Sequence, residues 1–270
     1  MIISEINIYP VKSLKGIALQ DAVVESRGLR FDRRWMLTDP DGMFFTQREV
    51  PKMATISVEV NSSGLVVGAP YAEPMPIRAG SRSDTVKTQK VTVWGSICDA
   101  AIFPKEVNEW FSTVLEHKCQ LVAMPETTNR LIDPEYAVTP DENIVSFADG
   151  YPFLLIGEGS LADLNSRLDA PVPMNRFRPN FVVAGSEAFA EDNWKRVRIG
   201  ETVFHVVKPC ARCVITTVDQ STGKKNGKEP LKTLSAYRNS GGKVLFGQNL
   251  IAANPGEVVR IGDKIEILDA

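Results

Sequence analysis

Apolar and polar residues alternate along residues 2–9 (Ile-Ile-Ser-Glu-Ile-Asn-Ile-Tyr), the period of a strand with one face buried. Strand-like runs recur at 18–25, 35–38, 43–46, 55–60 and 65–67, with Asp39-Pro40-Asp41-Gly42 suited to a hairpin turn. This repeated strand-and-turn spacing predicts an all-β module, a small barrel. Residues 70–90 are rich in proline and turn formers and read as a loop leading to a strand at 90–94. Val107, Trp110, Phe111, Val114 and Leu115 fall at helical spacing, so 105–115 is predicted as a helix, followed by a strand at 120–123. Residues 125–141 are polar, punctuated by proline and without a clear period, the pattern of a long crossing segment.

The second half opens on an apolar strand at 153–156. Ser160 with Asp163 suggests a capped helix start, with Leu161, Leu164 and Leu168 on one face. Strands are expected at 181–184, 244–251 and 258–267, and a short helix at 230–237. An apolar run, 203–207, and a β-branched run, 214–218, flank Lys208-Pro209-Cys210-Ala211-Arg212-Cys213, predicting two strands joined by a tight turn at 209–212. The fold class is therefore mainly β with a few helices (α+β).

Composition narrows the function classes. The chain has 270 residues, 43% of them hydrophobic and 24% charged, with a net charge of −2, so bulk charge points to neither nucleic acid nor a membrane surface. No run of about 18 apolar residues and no basic leader is present, and Asn61-Ser62-Ser63 is a chance match to a glycosylation site. Four cysteines in that setting read as reduced thiols of a cytoplasmic protein. Between Tyr9 and Arg34 six bases (Lys12, Lys15, Arg27, Arg30, Arg33, Arg34) face three acids, a local excess that suits either a solvated face or an anion site.

Rossmann and P-loop fingerprints, a nucleophile elbow and a haem-attachment motif are all missing, and there are only two histidines, His117 and His205. The pair Cys210 and Cys213 then admits four readings. It could be a redox dithiol, part of a zinc site with Cys98 and Cys119, two inert buried thiols, or one thiolate on a soft metal with Arg212 beside it. A β-branched run after the motif is unlike the helix of a thioredoxin-type site, and Cys98 and Cys119 do not form a second C-x-x-C.

Several segments together resemble the MOSC-domain family: Tyr-Pro-Val-Lys-Ser at 9–13, Asp-Arg-Arg-Trp at 32–35, Asn-Arg-Phe-Arg-Pro-Asn at 175–180, and Pro-Cys-Ala-Arg-Cys with Thr-Thr-Val-Asp at 209–219. Lys-Glu-Pro-Leu-Lys-Thr-Leu at 228–234 and Phe-Gly-Gln-Asn at 246–249 add to it. Within that family the chain is similar to amidoxime-reducing components and to bacterial reductases of the YcbX type. The resemblance implies an N-terminal MOSC β-barrel domain over 1–120 and a MOSC β-barrel domain over 121–270.

It also implies a molybdenum cofactor (Mo-molybdopterin), with molybdenum held by Cys213 as metal ligand and catalytic residue. Lys12, Ser13, Arg33, Asp149, Arg178, Asn180 and Arg212 are the implied cofactor-binding residues. The implied reaction reduces N-hydroxylated small molecules, such as amidoximes and hydroxylamino bases, by two-electron N–O cleavage. The four cysteines lack the C-x₄-C-x₂-C spacing of a plant-type cluster, so the expected electron donor is a separate ferredoxin- or flavoprotein-type partner. MOSC domains also end molybdenum-cofactor sulfurases, whose other part binds pyridoxal phosphate. A cofactor or sulfur carrier without turnover is therefore the alternative function.

Overall fold

The computed structural model describes residues 1–78, 87–139 and 142–270. Its largest sheet runs, in spatial order, Ile265–Asp269, Arg196–Ile199, Thr202–Arg212, Lys243–Ala252, Phe153–Gly157, Phe181–Ala184, Ile2–Ile8, Ile17–Leu19, with Asn239–Ser240 paired onto Lys243–Ala252. An antiparallel bridge between Ile2 and Lys264 joins the first strand to the start of the last, so the sheet curls on itself as a barrel. Only the Phe153–Gly157 and Phe181–Ala184 neighbours run parallel. Such a pair needs a long crossover, and the helix Glu158–Asn165 lies in it.

Alternation fills the barrel. Ile3, Ile6, Ile8, Phe153, Phe181, Phe204, Leu250 and Ile265 share one core. The register slips between Ile3 and Glu5. That bulge lets Ile3 and Ile6, three residues apart, both point inward where a regular strand would turn one of them out.

Residues 35–123 build a second body. Trp35–Thr38, Gln120–Ala123, Ser96–Ile102 and Thr88–Val93 form one sheet; Ser57–Asn61, Gly64–Ala69 and Ala72–Arg78 form another. The helix Lys105–Leu115 buries Val107, Phe111 and Leu115, spaced by four along one face, against Leu37, Leu65 and Leu121. It ends at Glu116 in the left-handed region.

Several expectations need correction. The loop expected over 70–90 contains the strand Ala72–Arg78, whose Pro74 and Pro76 are tolerated because it is an edge strand; residues 79–86 lie outside the described residues. The strand Ser96–Ile102 was not foreseen, since Asp99 and two alanines hide its period. Residues 43–46 make only isolated bridges, through Met43 and Phe44. The crossover helix begins at Glu158 with Gly157 as its cap; the Ser160 hydroxyl instead donates to the buried Glu191 carboxylate at 2.7 Å. Residues 125–141 are irregular apart from a 3-10 turn, Pro134–Tyr136, and 140–141 lie outside the described residues.

The largest correction falls at the cysteines. There is no turn at 209–212: Thr202–Arg212 is one continuous strand paired to Lys243–Ala252, with register slips before Lys208 and before Ala211. Pro209 fits because its neighbour on the other side, Arg196–Ile199, pairs only with residues 202–205. The β-branched run after Cys213 is a 3-10 turn, Val214–Thr217, not a strand. Here local side-chain bonds compete with β-propensity: the Thr216 hydroxyl donates to the Cys213 carbonyl at 3.0 Å and the Thr217 hydroxyl to the Val214 carbonyl at 2.7 Å, closing the turn.

Phe153 meets Phe181 at 5.9 Å in a stack and Phe204 at 5.3 Å edge-on, at the centre of the barrel. Phe153→Ala is expected to lower the unfolding free energy by about 3–5 kcal/mol, read from urea denaturation midpoints.

Candidate functional site

The loop and strand ends of both bodies converge on one cleft. It is lined by Lys12, Ser13, Arg33, Asp149, Arg178, Asn180, Arg212 and Cys213, which are all eight residues singled out from the sequence, and also by Arg176, Cys210 and Thr216. Five cations thus face a single carboxylate. Three of these residues, Ser13, Arg33 and Arg178, hold positive φ (68°, 48° and 56°), a conformation that non-glycine residues adopt rarely and at a cost.

Each cation is built in by protein partners. The Lys12 ammonium donates to the Phe147 carbonyl at 2.8 Å and, through a very short bond, to the Asp149 carboxylate. Burial pushes the Lys12 ammonium down to about 8, against the pull of Asp149. Asp149 itself is 59% exposed along its side chain, and burial would raise its pKa. The Lys12 charge and hydrogen bond, the Trp94 indole at 3.2 Å and Arg48 outweigh that and hold it well below the usual carboxylate range. Arg130, on the long crossing segment, clamps the backbone carrying Asp149 through the carbonyls of Ser146, Ala148 and Asp149.

Arg33 and Arg178 both lie over the Tyr9 ring, with guanidinium carbons 4.3 and 4.1 Å from its centroid. Arg33 donates to Asp32 at 2.7 Å and to Asn180 Oδ1 at 3.3 Å. Asn180 also accepts from the Leu154 amide and donates to the Asn7 carbonyl, so its carboxamide braces Arg33 and the barrel backbone. Burial lowers Arg178 to about 10, and burial raises the Tyr9 hydroxyl to about 12. Arg212 donates to the Phe246 and Phe177 carbonyls at 2.8 and 3.0 Å, and Arg176 reaches Asp219 at 2.9 Å. Of the six bases in the early basic run, only Lys12 and Arg33 line the cleft. Arg27 holds carbonyls of the crossing segment, and Arg30 and Arg34 pair with Glu25.

Cys213 sits where the strand gives way to the 3-10 turn, half-buried. Sequence reasoning missed its nearest cation. Arg48 Nη2 lies 3.3 Å from the Cys213 sulfur and 3.9 Å from Asp149 Oδ2, and its guanidinium stacks on Trp94 at 4.6 Å. Arg48, Trp94 and Asp149 therefore form one connected rim. The local sequence Thr-Gln-Arg-Glu at 46–49 carries no motif that would mark Arg48. Cys210, at the edge of the cleft, also packs against the core around Leu234 and Phe246, and burial raises its thiol.

The donor set can be tested against an anionic, metal-bearing cofactor. Arg176 Nε, Arg178 Nη2 and Arg212 Nη2 are buried with no hydrogen-bond partner. Each such nitrogen costs about 1–3 kcal/mol if left unpaired, and a ligand with several anionic oxygens would satisfy them. Among the described residues no group of three or more His, Cys, Asp or Glu could cage a metal. A lone thiolate suits a soft metal that arrives with ligands of its own. The residues fit such a group.

A barrel protein whose cleft combines a free thiol with unpaired guanidinium nitrogens is the class that fold and site define. Residues 1–118 match the MOSC N-terminal beta barrel domain and residues 142–266 match the MOSC domain; the chain belongs to the MOSC family. It is 34% identical to mouse mitochondrial amidoxime-reducing component 1 and 33% to the human protein, over 98% of this chain and 82% of theirs. It is also 33% identical to a rice molybdenum cofactor sulfurase, over 91% of this chain and 32% of that protein. Among the described residues no helix is long and apolar enough to cross a membrane.

With Lys12 at about 8, the cleft loses one positive charge as pH rises through that value. Binding of sulfate, whose own charge is constant over this range, followed calorimetrically, is expected to weaken from pH 7 to pH 9. The anion itself favours the ammonium and moves the midpoint upward, and Lys12→Met should flatten the profile.

Proposed function

We propose that this protein is a molybdenum-cofactor-dependent reductase of N-hydroxylated compounds, amidoximes and hydroxylamino bases among them, supplied with electrons by a separate redox protein. The observation that carries the reading is the Cys213 sulfur beside a cleft where five cations face one carboxylate. Relatives named for amidoxime reduction align over nearly the whole chain, and their name calls each a component, one part of a larger system. We assign residues 1–120 to the N-terminal barrel domain and 121–270 to the MOSC domain.

In this reading Cys213 is the protein's metal ligand. Lys12, Arg33, Arg178 and Arg212 bind the cofactor's anionic oxygens, and Ser13 adds a hydroxyl. Asn180 holds Arg33 in place, and Asp149 fixes the Lys12 ammonium. When bound, the molybdenum centre supplies the two-electron chemistry and the oxygen-accepting position that N–O cleavage requires. Arg48 Nη2 donates to the Cys213 sulfur and fixes its direction. The Arg48–Trp94–Asp149 chain keeps that guanidinium from swinging away.

Protein made in a host that supplies the cofactor tests this directly. Wild type is expected to carry molybdenum and to reduce benzamidoxime with reduced methyl viologen, while Cys213→Ala loses both and Cys210→Ala keeps both. Arg48→Ala is expected to retain pterin and lose about 10–100-fold in turnover. Full activity in Cys213→Ala would overturn the ligand assignment. Molybdenum without turnover would favour a cofactor or sulfur carrier, the reading that the sulfurase relative supports.

A further inference from the structure

A second groove lies directly behind the cleft. Val214, Lys225, Lys228, Leu231, Lys232 and Val244 are among its lining residues, and its volume is about 700 Å³. The 3-10 turn Val214–Thr217 is the wall between the two. Ile215 and Thr216 line the cleft, while Val214 and Thr217 line the groove. With three residues per turn, Val214 and Thr217, three apart, share one face, and Ile215 and Thr216 are turned away from it. Val214 follows the Cys213 sulfur by one residue, and Val244 is the ladder partner of Arg212. The Lys225 ammonium donates to the Arg48 carbonyl at 2.6 Å, so the groove's rim also touches the residue that contacts Cys213.

The groove's chemistry is one-sided. Its floor is apolar, with Val214 45% exposed, and three lysines and no carboxylate line it. Lys224 adds a fourth cation to the same segment; Glu229 is the nearby acid, 4.0 Å from Lys232. In a chain of net charge −2 this is a local basic concentration around an apolar patch, the form of a surface that docks an acidic protein by charge and holds it by apolar contact.

We propose that this groove docks an acidic single-electron carrier, a ferredoxin-type iron–sulfur protein, and brings its cluster to the back of the Cys213 turn. The proposal rests on the reading above that electrons come from a separate protein. Each docking delivers one electron, so two reduced carriers are oxidised per turnover. The substrate takes up both electrons and two protons: the amidoxime N–O bond breaks, the amidine forms and water leaves.

The double charge reversal Lys228→Glu/Lys232→Glu tests it, because both lysines are exposed and neither touches the cleft. Two donors are compared on cofactor-loaded protein: reduced methyl viologen, which needs no docking surface, and a reduced acidic plant-type [2Fe–2S] ferredoxin. The variant is expected to keep the viologen-driven rate and to lose about ten-fold or more in kcat/KM for the ferredoxin, with the wild-type rate falling as salt rises. Equal use of the ferredoxin by both proteins overturns the proposal.

Binding of the same ferredoxin is measured calorimetrically in parallel. No viologen-driven turnover in wild type would fail the reductase reading alone, and the docking surface would still be decided by affinity. Binding weakened about ten-fold or more by the double reversal supports it. Equal affinity, no binding to wild type, or binding only to vesicles of phosphatidylserine overturns it.

Discussion

Like charges forced together in a half-buried cleft are the constraint on which the site depends. Lys12, Arg33, Arg176, Arg178 and Arg212 line one space with Asp149 as the only acid among the lining residues. Such an arrangement survives because each cation has a protein partner: Arg33 to Asp32, Arg176 to Asp219, Arg178 to Gln220, Arg212 to two carbonyls, Lys12 to Phe147 and Asp149. The Tyr9 ring makes a cation–π contact with each of two of the guanidinium groups, which offsets part of their repulsion. The nitrogens left over point where nothing in the protein answers them, and that is what makes the cleft an anion receptor.

The large barrel makes this convergence possible. Its first strand and its parallel pair carry Tyr9–Ser13 and Arg178–Asn180 to the same end, while the crossing segment brings Arg130 to clamp the Asp149 loop. Gln47 and Gln220, one from each half of the chain, exchange hydrogen bonds, and Gln220 also accepts from Arg178. The site therefore cannot be built by either half alone. Strain at Ser13, Arg33 and Arg178 is the backbone's share of the same arrangement, since positive φ aims those residues where a regular strand exit would not.

Much of the fold could be read from periodicity, because strands such as Ile2–Ile8 and Phe181–Ala184 and the helix Lys105–Leu115 have one face buried and little competition from other signals. It failed where local hydroxyl bonds or position in the sheet decide. Val214–Thr217 has the residues of a strand, yet two threonine hydroxyls close it into a 3-10 turn. Ala72–Arg78 has the prolines of a loop, yet an edge position accommodates them. The candidate site was legible through motifs, which brought eight residues that do meet in one cleft. Arg48, Arg130 and Trp94 were not, because each reaches the site through contacts with residues distant in sequence, which leave no local pattern.

The misread turn is also the one that matters most. Had 214–218 been a strand, alternation would have sent Val214 and Thr216 to one face, and Cys213 would have lain along a sheet with neighbours on both sides. As a 3-10 turn ending a bulged strand, the segment lifts Cys213 clear of the ladder, beneath Arg48, and divides its own side chains between the cleft and the lysine-rimmed groove. A wall one backbone turn thick keeps the cleft's unpaired guanidinium nitrogens out of water on one side. On the other it leaves an apolar surface within one residue of the sulfur. A thicker element, such as a strand layered under a helix, would have insulated Cys213 from any docked protein.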